Sequence, residues 1–169
     1  VQLCVAAGAH VVAVAGGAEK AEFCRELGAQ VVIDHQAEDF VQAVEREMGP
    51  RSIDMIVDFV QGEPGQRARP LLAVEGRHVM AGHAGGLIPV HPNEFYLQNW
   101  TLIGCCMGSG YGEQLPEIED AAHAHLLRLV EEGRYRPTIG RVIGFDEIPE
   151  RLRDFTDRRV MGRMVARIA

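Results

Sequence analysis

The sequence predicts a doubly wound α/β fold built on a Rossmann-like parallel sheet, and three observations carry that prediction. Short β-branched runs of about five residues alternate with helical stretches of roughly ten to twelve, the rhythm of βαβ units. The first of these runs, residues 10–15, is continuously apolar instead of alternating, as strands covered on both faces are. Glycine, histidine or aspartate recurs just past one strand after another, where ligands gather in open parallel sheets.

Element by element, residues 1–9 read as the end of a helix stopped by Gly8. They have no capping residue, so the chain is expected to continue something that precedes Val1. Residues 10–15 (HVVAVA) predict a strand buried on both faces, closed by Gly16 and Gly17. Residues 18–27 predict a helix ended by Gly28, and residues 31–33 a second strand closed by Asp34 and His35. In residues 37–48, Phe40, Val41, Val44 and Met48 fall at the spacing of one helical face. Residues 53–57 predict a third strand, 63–72 a helix with Pro64 in its first turn, 77–81 a fourth strand and 101–106 a fifth. Beyond them, residues 108–112 read as a flexible loop. Leu115, Ile118, Ala122, Leu126, Leu129 and Val130 mark one face of a long helix ended by Gly133. Residues 141–145 and 163–168 predict strands around a helix at 146–156. They break the earlier rhythm and are assigned to a different sheet, so the chain divides into residues 1–134 and 135–169.

Composition narrows the function. The 169 residues carry 24 acids against 17 Lys and Arg, a net charge of −7. A nucleic-acid or anionic-membrane surface would want a basic face. Apolar residues make up 47% and charged residues 24%, as in folded globular chains. No apolar run approaches the roughly 20 residues of a membrane span. Cys4, Cys24, Cys105 and Cys106 form no CxxC pair, which predicts free buried thiols and a cytoplasmic setting. His123 and His125 sit two apart on a helix and face different ways, so no metal site is expected. There is no P-loop and no nucleophile elbow.

The residues past each strand are the site candidates: Ala15, Gly16 and Gly17, then Asp34 and His35, then Asp58, Phe59 and Val60, then Gly82, His83 and Ala84, and last Cys106, Met107 and Gly108. An acid after the second Rossmann strand holds the ribose hydroxyls of NAD. Here Ala15, Gly16 and Gly17 leave that place open, and Lys20, the chain's only lysine, follows. Room plus a cation suits a 2′-phosphate, so NADP(H) is the expected cofactor.

The runs HVVAVAGGAEKAEFCRELGAQVVIDHQAEDF, IDMIVDFVQG, GRHVMAGHAGG and RRVMGRMVARI, in this order and spacing, resemble the medium-chain dehydrogenase/reductase superfamily. Within it the chain is most similar to the zinc-independent quinone oxidoreductase branch that includes zeta-crystallin. The resemblance implies a C-terminal cofactor-domain fragment whose first strand and glycine-rich turn would precede Val1. It implies that Gly16, Gly17 and Lys20 take the 2′-phosphate, with His35 where relatives often carry a tyrosine. Phe59 and Val60 would wall the adenine side. Ala81, Gly82, His83 and Ala84 would pass under the nicotinamide ribose, Gly104, Cys105 and Cys106 would meet the nicotinamide amide, and Arg158 would close on the phosphates. The implied reaction is hydride transfer from NADPH to a quinone or α,β-unsaturated carbonyl, with no catalytic side chain assigned. The implied assembly is a homodimer through the edge strand at residues 101–106. Residues 135–169 would return to the catalytic domain. Three other functions compete: a non-catalytic NADPH-sensing module, another medium-chain alcohol dehydrogenase or enoyl reductase, and a methyltransferase-like domain. The last would want an acid after the second strand.

Overall fold

Every strand pair in the computed structural model, which describes residues 1–157 and 160–168, is parallel. The chain runs α1 (Gln2–Ala6), β1 (Val12–Ala15), α2 (Ala18–Glu26), β2 (Val31–Asp34), α3 (Phe40–Met48), β3 (Ile53–Asp58) and α4 (Gly62–Ala68). It continues with β4 (Leu72–Met80), α5 (Pro92–Tyr96), β5 (Thr101–Gly104), α6 (Pro116–Glu131), β6 (Ile139–Gly144), α7 (Ile148–Thr156) and β7 (Arg163–Arg167). The sheet comes in three parts: β1 with β2, then β3–β4–β5, then β6 with β7. The Rossmann-like α/β architecture therefore stands, and the closing strands form a sheet of their own.

The core joins the first two parts. Ile33, Ala43, Val44 and Leu71 are buried together, with Val12, Val31, Phe40 and Ile53 packed around them. α3 provides the lid because its apolar positions share one face, and Asp39 starts it by accepting hydrogen bonds from the amides of Val41 (3.0 Å) and Gln42 (3.1 Å). Each fully buried aliphatic side chain here contributes about 1.5–3 kcal/mol.

Residues 10–15 predict a strand covered on both faces, but β1 is not: Val14 is exposed. Val12 and Ile53 reach the core, whereas Val14, Met55 and Val57, which share that face by strand alternation, are 43–45% exposed. Among the described residues no strand pairing joins β1–β2 to β3–β4–β5.

Other boundaries shift for local reasons. α4 stops at Ala68 because Pro70 cannot continue it, and Leu72 opens a strand of nine residues where residues 77–81 alone were expected. Positive φ at Glu75 marks the irregularity that hides its first half in the sequence pattern. β5 ends at Gly104, short of Cys106, because its partner β4 ends at Met80. Residues 107–112 are a π-type turn, not a loop. α5 is too short for periodicity to reveal, and His91 Nδ1 caps it by accepting from the Asn93 amide. α6 keeps its predicted span, yet only Leu129 on it is buried.

Asp39→Ala removes the α3 cap and is expected to cost about 1 kcal/mol of stability, read as a lower urea midpoint with an unchanged slope.

Candidate functional site

The cleft begins where β3 runs out. Asp58, 7% exposed, turns its carboxylate back on its own chain. Oδ1 accepts the amides of Val60 (2.8 Å) and Gln61 (2.7 Å), and Oδ2 meets His78 Nε2 at 2.9 Å. His78, on β4, is 2% exposed and its Nδ1 has no partner. The ring can hold Asp58 only as a donor, so Nε2 carries a proton. Burial alone would push the Asp58 carboxyl up. The Gln61 and Val60 amides and the His78 ring outweigh it and hold the carboxyl below the ordinary carboxylate range. Gly65 lets α4 sit on this pair, since a Cβ there would collide with Asp58 Oδ2.

That bend brings two strand ends together. Ala81 N donates to Asp58 O (2.8 Å), Ala84 N to Phe59 O (3.5 Å) and Gly85 N to Val60 O (2.7 Å). A side chain at Gly82 would stand 2.5 Å from Phe59 O, so only glycine permits the approach. Gln61 lies across the join with φ 54° and ψ −147°, a left-handed backbone that a side chain rarely adopts. Its Nε2 donates to Gly82 O.

A cavity of about 490 Å³ opens beside this join, at the carboxyl ends of β4 and β5. Ala81, Gly82, His83, Gly104, Cys105 and Cys106, all site candidates from the sequence, line it. Gln61, Met80, Tyr111, Gln114 and Leu115 also line it and were not foreseen. The π-type turn swings Tyr111 in, and no pattern in the sequence marks such a turn. Phe59 and Val60 are exposed (64% and 44%) beyond the join and do not face this cavity, and Ala84 is exposed too. The cysteines are not buried: Cys105 is partly exposed and Cys106 fully so. Ser109 Oγ lies 3.1 Å from Cys106 Sγ, and hydrogen bonding from Ser109 holds that thiol below its ordinary range.

A second group gathers where β1 and β2 end. A Cβ on Gly16 would stand 2.8 Å from His35 Nε2, so these two predicted residues touch. Asp34, a strand-end candidate beside His35, accepts the amides of Gly17 (2.8 Å) and Gln36 (2.9 Å), and these amides hold its carboxyl below the usual range. An acid thus does stand beside the Gly16–Gly17 turn, contributed by the next strand. Lys20, in the first turn of α2, makes no ion pair among the described residues. Arg158 lies outside the described residues. Among the described residues no three His, Cys, Asp or Glu side chains converge as metal ligands, and no helix is long and apolar enough to cross a membrane.

Parallel strands, helical crossovers and a cleft at the carboxyl edge define a Rossmann-like domain. Residues 1–124 match the zinc-binding dehydrogenase family model, and the chain belongs to that family, within the medium-chain dehydrogenase/reductase superfamily. Quinone oxidoreductase-like protein 2 of Bos taurus is 30% identical over 158 residues, 93% of this chain and 45% of the relative. An NAD-dependent alcohol dehydrogenase of Sulfolobus acidocaldarius is 27% identical over 163 residues, 95% of this chain and 44% of its own length. A putative alcohol dehydrogenase of Sinorhizobium meliloti 1021 superposes with a TM-score of 0.84 at 31% identity, covering 98% of this chain and 43% of that one. The chain thus spans about half the length of the relatives it matches (45% of the Bos taurus protein).

Asp58 gives a pH test whose sign is fixed. Its folded value is depressed, so its contribution is present above the unfolded value, about 3.9, and fades as pH falls through the folded one. Asp58→Asn should cost about 1–3 kcal/mol at pH 7, and the gap to the parent chain should narrow below about pH 4 in urea titrations.

Proposed function

We propose that this chain is the cofactor-binding part of an NADPH-dependent oxidoreductase that delivers hydride to a quinone or an α,β-unsaturated carbonyl. The observation that carries the reading is the cavity at the carboxyl edge of β4 and β5, walled by Gly82, His83, Gly104 and Cys105. Its residues fit a dinucleotide. A Cβ on Gly104 would meet nothing within 4 Å, so ligand and backbone have room to meet there. Lys20 is an ammonium without an ion-pair partner among the described residues, beside a turn of two glycines.

In this reading Gly16, Gly17, Lys20 and His35 hold the 2′-phosphate end, and Ala81, Gly82, Gly104 and Cys105 orient the nicotinamide end. The bound dinucleotide supplies the hydride, and the protein's task is orientation and exclusion of water. The lack of any pairing between β1–β2 and β3–β4–β5 among the described residues, with Val14 on β1 and Met55 and Val57 on β3 exposed, supports a further parallel strand from outside residues 1–169 that completes one sheet. Among the described residues β5 has no second neighbour, which supports pairing with its twofold mate in a homodimer. Residues 135–169, with their own sheet, would then serve the catalytic domain.

Asp34 favours a second reading, in which NADH is the cofactor, as in the name of the Sulfolobus relative. The Asp34 carboxylate is already committed to two backbone amides, which leaves Lys20 to decide. Lys20→Ala should weaken NADPH about tenfold, the loss of one charge-assisted contact to phosphate, and leave NADH unchanged. Fluorescence titration with both cofactors measures this, and equal losses would favour the NADH reading.

A further inference from the structure

We infer that Gln61 is a ligand-recognition residue, whose side-chain oxygen accepts a hydroxyl of the ribose at the nicotinamide end. The inference rests on the dinucleotide reading above and adds to it a specific contact. Gln61 holds a positive φ that glycine would adopt without strain, and Gly62 beside it shows that this turn accepts glycine. A side chain kept at such a position is expected to do something that glycine cannot. Its orientation follows from chemistry. Gly82 O is only an acceptor, so the atom bonded to it must be Nε2. With Nε2 turned to Gly82, the side chain offers Oε1 as its acceptor, and Gln61 lines the cavity together with Gly82, Ala81 and Gly104.

Gln61 is also rigidly placed. Its amide is one of the two that the buried Asp58 carboxylate holds, and Asp58 is in turn held by His78. The neighbouring Gly85–Val60 bond pins the same turn from the other side. An amide fixed at both backbone and side chain loses little freedom when a ligand arrives, which is what a specificity contact needs. A ribose hydroxyl fits because it can donate to Oε1 while its own oxygen remains free to accept.

The test uses the 169-residue chain, its Gln61→Gly and Gln61→Met variants, and two probes, NADPH and 2′,5′-ADP, which lacks the nicotinamide riboside. Both variants should bind NADPH about fivefold more weakly and 2′,5′-ADP within about twofold of the parent, as loss of one hydrogen bond at one end requires. Gln61→Gly should meanwhile melt no lower than the parent, because the strained backbone relaxes. A role in folding alone would instead lower the melting temperature and weaken both probes together, and that result overturns the inference. So does NADPH binding at parent strength in either variant. If the parent chain binds neither probe, the dinucleotide reading itself fails, and the inference falls with it.

Discussion

The Asp58 carboxylate is the interaction on which the cleft depends. A buried carboxylate left alone would cost several kcal/mol, and each hydrogen bond to a charged group returns about 1.5–3 kcal/mol. Two backbone amides and one imidazole N–H meet that cost here. The amides belong to the turn that leads into α4, and the imidazole belongs to the next strand. One side chain thereby ties β3, β4 and α4, and the loops that wall the cavity inherit their shape from it. Gly65 and Gly82 are the steric counterpart, since each allows an approach that any Cβ would block.

Two sites stand on two separate pieces of sheet. The Gly16–His35 group belongs to β1 and β2, and the cavity belongs to β4 and β5, while the α3 core holds the pieces together. In the reading proposed above, one dinucleotide reaches both. Val14 on β1 and Met55 and Val57 on β3 are exposed apolar residues where burial is still to be gained.

The fold was legible wherever a local pattern sufficed. Apolar, β-branched runs such as residues 10–15 gave strands, and the spacing of Phe40, Val44 and Met48 gave α3. What escaped was long-range or irregular. The first half of β4 was hidden because positive φ at Glu75 interrupts its pattern. The π-type turn that brings Tyr111 into the cavity has no periodic signature. The strand-end rule picked out Gly82, His83 and Cys106, which line the cavity, because topology alone decides which ends face the cleft. The same rule could not find His78 or Gln61. His78 lies within a strand and is defined by a partner 20 positions away, and Gln61 matters through a backbone angle that residue identity does not announce. The thiols were misjudged because β5 stops at Gly104, two residues before Cys106, leaving that cysteine in the open turn.

The central claim is that one dinucleotide spans the carboxyl ends of β1, β2, β4 and β5. Backbone amide chemical shifts of the 15N-labelled chain, followed through a titration with NADPH, test it most directly. The account predicts shifts in two clusters that saturate together, one at Gly16, Gly17, Lys20 and His35, the other at Gln61, Gly82, His83, Gly104 and Cys105. Shifts confined to β6, α7 and β7, or a spectrum that NADPH leaves unchanged, would contradict it.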